Sequence, residues 1–335
     1  MRRRIAAIGE VILVTVAFNL IAAFLLRALV SREFLALGED YEQADLYPGA
    51  AASALRLTIR FGIGIALGFA LLWWRRRVRP AEAGVTRAGK PLGSLILTGV
   101  VVWAFATIPF DLLYLFNGVV QVGEGFTFFD TVGPLWSRPD FWALWAASAL
   151  ILPPLFEETL FRGYARTRLA ESYGPMGAVI VSSFLFMLMH GHFYSTDPLK
   201  PLTLVVNIFA VICWAYAAFR TGSIIPGMVA HALGNMPWPR TLAVMATLLA
   251  VQLAILLIAR TTVCEWLASF AREWRGRDRA GTTFGVALSF LFLVPVMSLG
   301  AAGIRSAMTG LGAAWLVVFI VSWITDLRSS QRATH

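Results

Sequence analysis

Charged residues are scarce in this sequence. Asp, Glu, Lys and Arg make up only 14% of its 335 residues, whereas 58% are hydrophobic and the mean hydropathy is +0.72. Soluble domains carry about a quarter charged residues. The composition therefore excludes an ordinary soluble domain and predicts an all-α, polytopic integral membrane protein.

Cysteine is equally scarce. The sequence has two, Cys213 and Cys264, and no Cys-x-x-Cys spacing. The sequence therefore suggests neither a disulfide framework nor a thiolate metal site. We interpret both residues as small apolar side chains.

The excess of positive charge, +9 at pH 7, calls for an explanation. It would suit a nucleic-acid binder, but the arginines form short clusters beside apolar runs. Such clusters are typical of cytoplasmic loops and of contact with anionic lipid. We therefore expect the lipid bilayer and not nucleic acid as a partner. The clusters also predict cytoplasmic N- and C-termini in a bacterial-type cell inner membrane.

Apolar segments predict about ten membrane crossings. The first follows a cluster of arginines, as in a signal peptide, but it is too long for one and we expect a retained helix. The predicted crossings are 5–30, 50–74, 92–116, 141–153, 177–189, 201–219, 223–235, 241–259, 283–302 and 306–324. We divide the chain into N-terminal helices (1–139), a catalytic core with a polar cavity (140–238) and C-terminal helices (239–335).

The fourth segment ends in two prolines. Pro153 and Pro154 either kink the helix or start a new one. An acidic pair follows at once. Three arginines come next, and we expect them to mark an aqueous edge: Arg162, Arg166 and Arg168.

The acidic pair, Glu157 and Glu158, is the most unusual feature of the sequence. A charge at the centre of a membrane helix costs about 2.5–3.5 kcal/mol, so an intramembrane charge cluster indicates a functional site. Residues four apart share a helix face, which pairs Arg162 with Glu158. Glu157 is then the freer carboxylate and the better general base. The opposite assignment of the two acids stays open.

Histidines supply the second part of the predicted site. His190 and His231 lie in apolar segments, with Phe186 one turn before the first and Asn235 one turn after the second. Such a set suits water activation, in which a carboxylate takes the proton, imidazole orients the water and an amide N–H stabilises an oxyanion. Each residue alone has a simpler explanation, such as interhelical hydrogen bonding or core packing. Their joint occurrence favours catalysis.

Three ordered motifs resemble those of a known family. They are Glu157-Glu158-x3-Arg162, Phe186-x3-His190 and His231-x3-Asn235. Their order and spacing are similar to those of the CAAX prenyl protease and bacteriocin-processing family, intramembrane endopeptidases related to the type-II CAAX endopeptidase. The resemblance covers Trp142 to Asn235. It implies hydrolysis of a peptide bond in a membrane-anchored peptide or protein.

The resemblance also implies a role for each motif residue. Glu157 would activate a water molecule together with His190, while His231 and Asn235 would stabilise the oxyanion. The remaining motif residues would support the site: Glu158, Arg162 and Phe186. No cofactor is implied.

Other interpretations stay open at this point. A zinc site is the main rival mechanism, since His190, His231 and a glutamate form a two-histidine, one-carboxylate set. The sequence has no His-Glu-x-x-His helix. A non-catalytic membrane scaffold or bacteriocin-immunity-type protein of the same fold is another candidate, although it need not keep these residues together. A transporter with a proton relay is disfavoured by the lack of inverted repeats.

The predicted topology contains one conflict. His190 lies near the outer end of its helix, whereas the acidic pair lies near an inner, basic end. Their meeting requires a tilted or re-entrant segment, or one misassigned crossing. The other two histidines match no motif, and we expect His192 to be interfacial and His335 to be solvated.

Overall fold

The secondary structure is helical, with connecting loops and no strand, in the part of the chain that the structure describes, as the prediction of an all-α fold required. The structure is a computed structural model that describes residues 1–29, 46–123, 139, 142–143, 146–190, 193, 197–236, 238, 241–275 and 279–298. The predicted crossing 306–324, His192 and His335 lie outside these ranges.

The described chain forms α-helices and two short π-helical segments. In chain order the α-helices are α1 (Arg2–Leu29), α2 (Leu46–Arg76), α3 (Leu92–Val120), α4 (Leu152–Glu158), α5 (Arg166–Leu188), α6 (Leu199–Thr221), α7 (Ile225–Gly234), α8 (Leu242–Ile258), α9 (Arg260–Arg275) and α10 (Arg279–Ser298). The π-helical segments are π1 (Ala146–Ile151) and π2 (Thr159–Ala165).

Several helices are long and apolar enough to cross a membrane, so the protein is an integral membrane protein. Within the described residues there are four such stretches, or five if α8 and α9, bent by 81°, count as one broken span. The total of ten crossings stays a prediction. Helix α7 has ten residues, which span about 15 Å of a hydrocarbon core about 30 Å thick. It therefore does not cross alone.

The longest helical stretch, Ala149–Leu188, is folded back on itself. Gly174 adopts φ 68° and ψ 171°, outside the helical region, and Pro175 follows it. In one straight helix Phe161 and Phe186 would be about 37 Å apart, yet their ring centroids are 5.0 Å apart. The stretch is therefore an antiparallel helical hairpin that turns at Gly174.

The hairpin resolves the conflict in the predicted topology. Glu157 on the first arm and His190 at the end of the second are almost equally far from Gly174 along the chain. An antiparallel hairpin brings such residues to nearly the same level. Pro153 and Pro154 do not end the helix; they lie in the first turn of α4, directly after π1. The prolines thus start a new α-helical segment, which was one of the two expectations.

The expectation that Arg162, Arg166 and Arg168 mark an aqueous edge is wrong. Arg162 and Arg168 are each only 1% exposed. Carboxylates inside the bundle neutralise them, Glu158 for the first and Glu10 for the second. The spacing of the sequence could not reveal Glu10 as a partner, because it comes from α1.

Glu10 joins three parts of the bundle. Its Oε1 lies 3.0 Å from Nε of Arg168 on α5, and its Oε2 lies 3.2 Å from Nη1 of Arg75 on α2. The hydroxyl of Tyr164 also donates to Oε1, at 3.3 Å. Glu171 completes the cluster with ion pairs to both arginines. This buried network fixes α1 and α2 against the hairpin.

The helices after α7 attach to the bundle by polar and aromatic contacts. Gln252 on α8 donates from Nε2 to Oδ2 of Asp111 on α3, at 2.6 Å. Trp266 and Phe270 on α9 pack against Tyr216 of α6, with ring centroids 6.0 and 5.1 Å apart. Helices α8 and α9 are therefore packed onto helices that surround the hairpin.

Replacing Glu10 with alanine is expected to destabilise the protein, since Arg75 and Arg168 would lose a buried carboxylate. Breaking a buried ion pair costs about 3–5 kcal/mol. The unfolding temperature of the purified protein in detergent should therefore fall by several degrees. Glu265→Ala, at an exposed position on α9, is the control and should change stability by about 0.5 kcal/mol or less. Identical unfolding curves for both variants would contradict this role of Glu10.

Candidate active site

The acidic pair lies where the first arm of the hairpin changes from α-helical to π-helical hydrogen bonding. Glu157 and Glu158 are the last residues of α4, and π2 begins at Thr159. Segments with π-helical hydrogen bonds are rare and occur frequently at functional sites. Both acidic residues face the bundle interior, with Glu157 9% and Glu158 0% exposed.

Glu158 is held by two partners. Its Oε2 lies 3.0 Å from Nε of Arg162, and its Oε1 lies 3.1 Å from Nδ1 of His231. The pair with Arg162 is the one that the four-residue spacing predicted, and the structure confirms it. Because both side chains are buried, each charge depends on the other for neutralisation.

Glu157 is the more available carboxylate. Its Oε2 lies 3.8 Å from Nε2 of His231, a longer contact than those of Glu158. Its side chain also keeps 11% of its surface exposed, whereas that of Glu158 keeps none. This contrast agrees with the sequence argument that pairing leaves Glu157 freer. Its role as the base stays a prediction.

His231 stands between the two carboxylates and stacks on Trp214. The two ring centroids are 4.8 Å apart and the ring planes differ by 20°. Trp214 is a buried residue of α6, and this stacking fixes the plane of the imidazole. Sequence analysis missed Trp214. No spacing could reveal it, because the contact joins two different helices.

Phe186 contacts three other residues of the candidate site. Its ring meets the rings of His190 and His231 edge to face, with centroids 4.7 and 6.0 Å away. The guanidinium carbon of Arg162 lies 4.5 Å from the centre of the same ring, a cation–π contact. Phe186 therefore positions both histidines and the arginine, which is consistent with the supporting role that the resemblance implied.

The hydrogen bond of His190 determines its tautomer. Nδ1 lies 2.8 Å from the backbone carbonyl oxygen of Phe186. A carbonyl can only accept, so Nδ1 carries the hydrogen, and Nε2 is the acceptor nitrogen of the neutral ring. This bond fixes the orientation of the ring, because it ties His190 to the helical turn that carries Phe186.

Asn235 lies directly after α7, one turn beyond His231. Its Nδ2 donates to the carbonyl oxygen of Ala149 in π1, at 2.9 Å. This bond ties the end of α7 to the first arm of the hairpin and uses one of the two amide hydrogens. The second hydrogen is the one that an oxyanion would need, and that role stays a prediction.

The two mechanisms predicted from the sequence differ in whether the site holds a metal ion. In the ranges that the structure describes, no three His, Cys, Asp or Glu side chains are grouped so that they could hold a metal ion. The zinc and metal-free mechanisms make different predictions for chelators, and that experiment decides between them.

The two glutamates thus lie beside His231, and Phe186 brings His190 to the same cluster inside the helix bundle. Residues 139–237 match the family model described as Type II CAAX prenyl endopeptidase Rce1-like. This stretch is less than a third of the chain and contains every motif residue. The match confirms the resemblance to the CAAX protease family for this central segment. No curated protein and no solved structure matches the chain.

Gly227 on α7 makes room for Glu158, and its replacement by alanine should be destabilising. An added Cβ would lie 2.6 Å from Oε2 of Glu158, an atom already held by Arg162. Overpacking of this kind costs about 1–3 kcal/mol, which thermal unfolding can detect. Gly234→Ala on the same helix is the matched control, because its added Cβ would meet Trp214 at an ordinary 3.6 Å. Equal stability of the two variants would refute the close fit.

Proposed function

We propose that the protein is an intramembrane, glutamate-type endopeptidase. It hydrolyses a peptide bond of a membrane-presented peptide, either CAAX-like or of another sequence. The observation that carries this proposal is the contrast within the acidic pair. Glu158 is fixed by Arg162 and His231, whereas Glu157 beside it is available to a water molecule.

In the proposed mechanism Glu157 takes a proton from a water molecule that His190 orients. The resulting hydroxide attacks the carbonyl carbon of the scissile bond. A hydrogen on Nε2 of His231 and the second amide hydrogen of Asn235 stabilise the oxyanion, since Nδ1–H of His231 donates to Glu158 and the first amide hydrogen to Ala149. Removal of one such donor typically costs about 2.7–4 kcal/mol. The proton then passes to the leaving amine, and the peptide bond breaks.

The remaining motif residues position this machinery. Glu158 accepts from His231 at Nδ1, which directs Nε2 of the imidazole toward Glu157. Arg162 neutralises Glu158, and Phe186 packs against the arginine and both histidines. We propose that this geometry operates without a metal ion.

The bounds of the catalytic core in the chain, and the membrane in which it lies, are also proposals. We place the core at 140–238, between N-terminal helices (1–139) and C-terminal helices (239–335), which the family match to 139–237 supports. The basic clusters support cytoplasmic termini in a bacterial-type inner membrane.

Glu157→Gln should abolish proteolysis while leaving the fold intact, because the amide keeps the shape but cannot take a proton. General-base catalysis contributes about 10²–10⁴-fold. New peptide termini should therefore appear in membranes that contain the wild type and be reduced at least about hundredfold with the variant. Terminomics at matched expression levels makes this comparison and identifies the substrate.

The control for this experiment is Glu82→Gln, at an exposed position in the loop after α2. It should produce the same termini as the wild type. Unchanged termini with Glu157→Gln would exclude Glu157 as the base. No new termini with folded wild type in its native cells would favour the non-catalytic scaffold.

Chelators should leave the activity unchanged if the mechanism is metal-independent. Cleavage of the identified substrate is measured before and after incubation of the purified protein with EDTA or phenanthroline. A loss of activity that zinc restores would replace the metal-free mechanism with the zinc alternative, in which His190, His231 and a glutamate hold the ion.

A further inference from the structure

Trp214 carries a hydrogen-bond donor that the proposed mechanism does not use. It is a residue of α6, only 7% exposed, and its buried Nε1 has no hydrogen-bond partner among the residues that the structure describes. Leaving a buried N–H without a partner costs free energy, so such groups are rare and often have a catalytic or binding role. Stacking on His231 does not account for this donor, because a phenylalanine would stack without bringing a buried N–H.

The indole ring of Trp214 is held inside the candidate active site. Its plane differs by only 20° from that of His231, with ring centroids 4.8 Å apart, and the guanidinium carbon of Arg162 lies 6.0 Å from its centre. The N–H bond of an indole lies in the plane of the ring. Nε1–H therefore points alongside the imidazole and not into its face.

The edge of the indole that carries Nε1 faces the end of α7. A Cβ added to Gly234 would lie 3.6 Å from Cζ2 of Trp214, and Cζ2 is bonded to the same ring carbon as Nε1. Gly234 directly precedes Asn235 and follows His231 by three residues. The donor of Trp214 thus lies beside the short segment that carries both donors assigned to the oxyanion.

We propose that Trp214 donates a third hydrogen bond to the oxyanion, through Nε1–H. This inference rests on the proposed function, since it assumes that a peptide bond is hydrolysed at the site. A peptide carbonyl oxygen has two lone pairs, and the hydrogens of His231 and Asn235 occupy them in the substrate complex. When hydroxide attacks, its oxygen forms the new bond to carbon, and the electrons of the carbonyl π bond become a third lone pair. Nε1–H of Trp214 binds this lone pair, so its hydrogen bond exists only once the oxyanion forms.

The timing of this hydrogen bond determines its kinetic effect. A donor that acts on the oxyanion and not on the bound substrate changes kcat and leaves KM as it is. The strength of hydrogen bonds to charged groups corresponds to a loss of about ten- to hundredfold in kcat when the donor is removed. Trp214 is then a catalytic residue as well as the residue that fixes the plane of His231.

The test replaces Trp214 with benzothienylalanine, in which sulfur takes the place of the N–H while the shape and the stacking surface of the ring are kept. Cleavage of the substrate identified by terminomics is measured with the full-length protein in nanodiscs. We expect kcat to fall about ten- to hundredfold with KM unchanged. Trp214→Phe removes the same donor and should lower kcat at least as much. An unchanged kcat, or a raised KM at unchanged kcat, would overturn the inference.

Trp103→Phe is the matched control. Trp103 lies on α3, outside the proposed catalytic machinery, and is also 7% exposed. Its replacement removes the same volume from the bundle as Trp214→Phe, so it should lower the unfolding temperature comparably and leave kcat unchanged. An equal fall of kcat in both variants would show that packing is responsible, and the inference would be wrong.

Nuclear magnetic resonance tests the hydrogen bond without a measurement of cleavage. The indole N–H signal of Trp214, assigned from its loss in Trp214→Phe, is recorded with and without a trifluoromethyl ketone analogue of the substrate. Such a ketone takes up hydroxide to form a tetrahedral oxyanion, and we expect the indole proton to shift downfield when the analogue is bound.

The outcomes separate this inference from the proposed protease activity. Cleavage by the wild type, together with an indole signal that the inhibitory analogue does not move, would overturn the inference and leave the protease standing. Absence of cleavage by folded wild type in its native cells would overturn both.

Discussion

Glu158 is buried between Arg162 and His231, and the candidate site depends on this interaction. An isolated charge in the bundle would be expensive, but the pair at 3.0 Å neutralises both residues. The contact at 3.1 Å to His231 then links the first arm of the hairpin to α7. Gly227 permits the close approach of α7, because a side chain there would overlap the carboxylate. One buried carboxylate thus aligns two elements and orients the imidazole.

The hairpin sets the depth at which this interaction occurs. The turn at Gly174 returns Phe186 to the level of Phe161 and so places the histidine motif beside the acidic motif. Glu10 holds the hairpin from the other side through Arg168, and α2 through Arg75. Since each of these charges is buried, the network resists sliding of the helices along one another. The segment that matches the family model therefore depends on helices that lie outside it.

The two acids of the pair differ in how tightly they are held. Glu158 and Arg162 neutralise each other at 3.0 Å, whereas Glu157 lies 3.8 Å from His231. The proposed chemistry uses the freer acid, Glu157, to activate the water molecule. Burial favours this division, because a structural charge inside the bundle must be neutralised while a catalytic one must stay accessible.

Sequence alone determined the class of protein and the local pairing. Low charge and long apolar runs predicted a helical membrane protein, and the four-residue spacing predicted the contact of Glu158 with Arg162, since both are local properties. Tertiary structure decided which residues meet across helices. The burial of Arg168 by Glu10 and the stacking of Trp214 on His231 join segments far apart in sequence, and no spacing encodes such contacts. The reversal of the chain at Gly174 was also visible only in the structure. The contacts that it creates depend on how the two arms of the hairpin pack against each other.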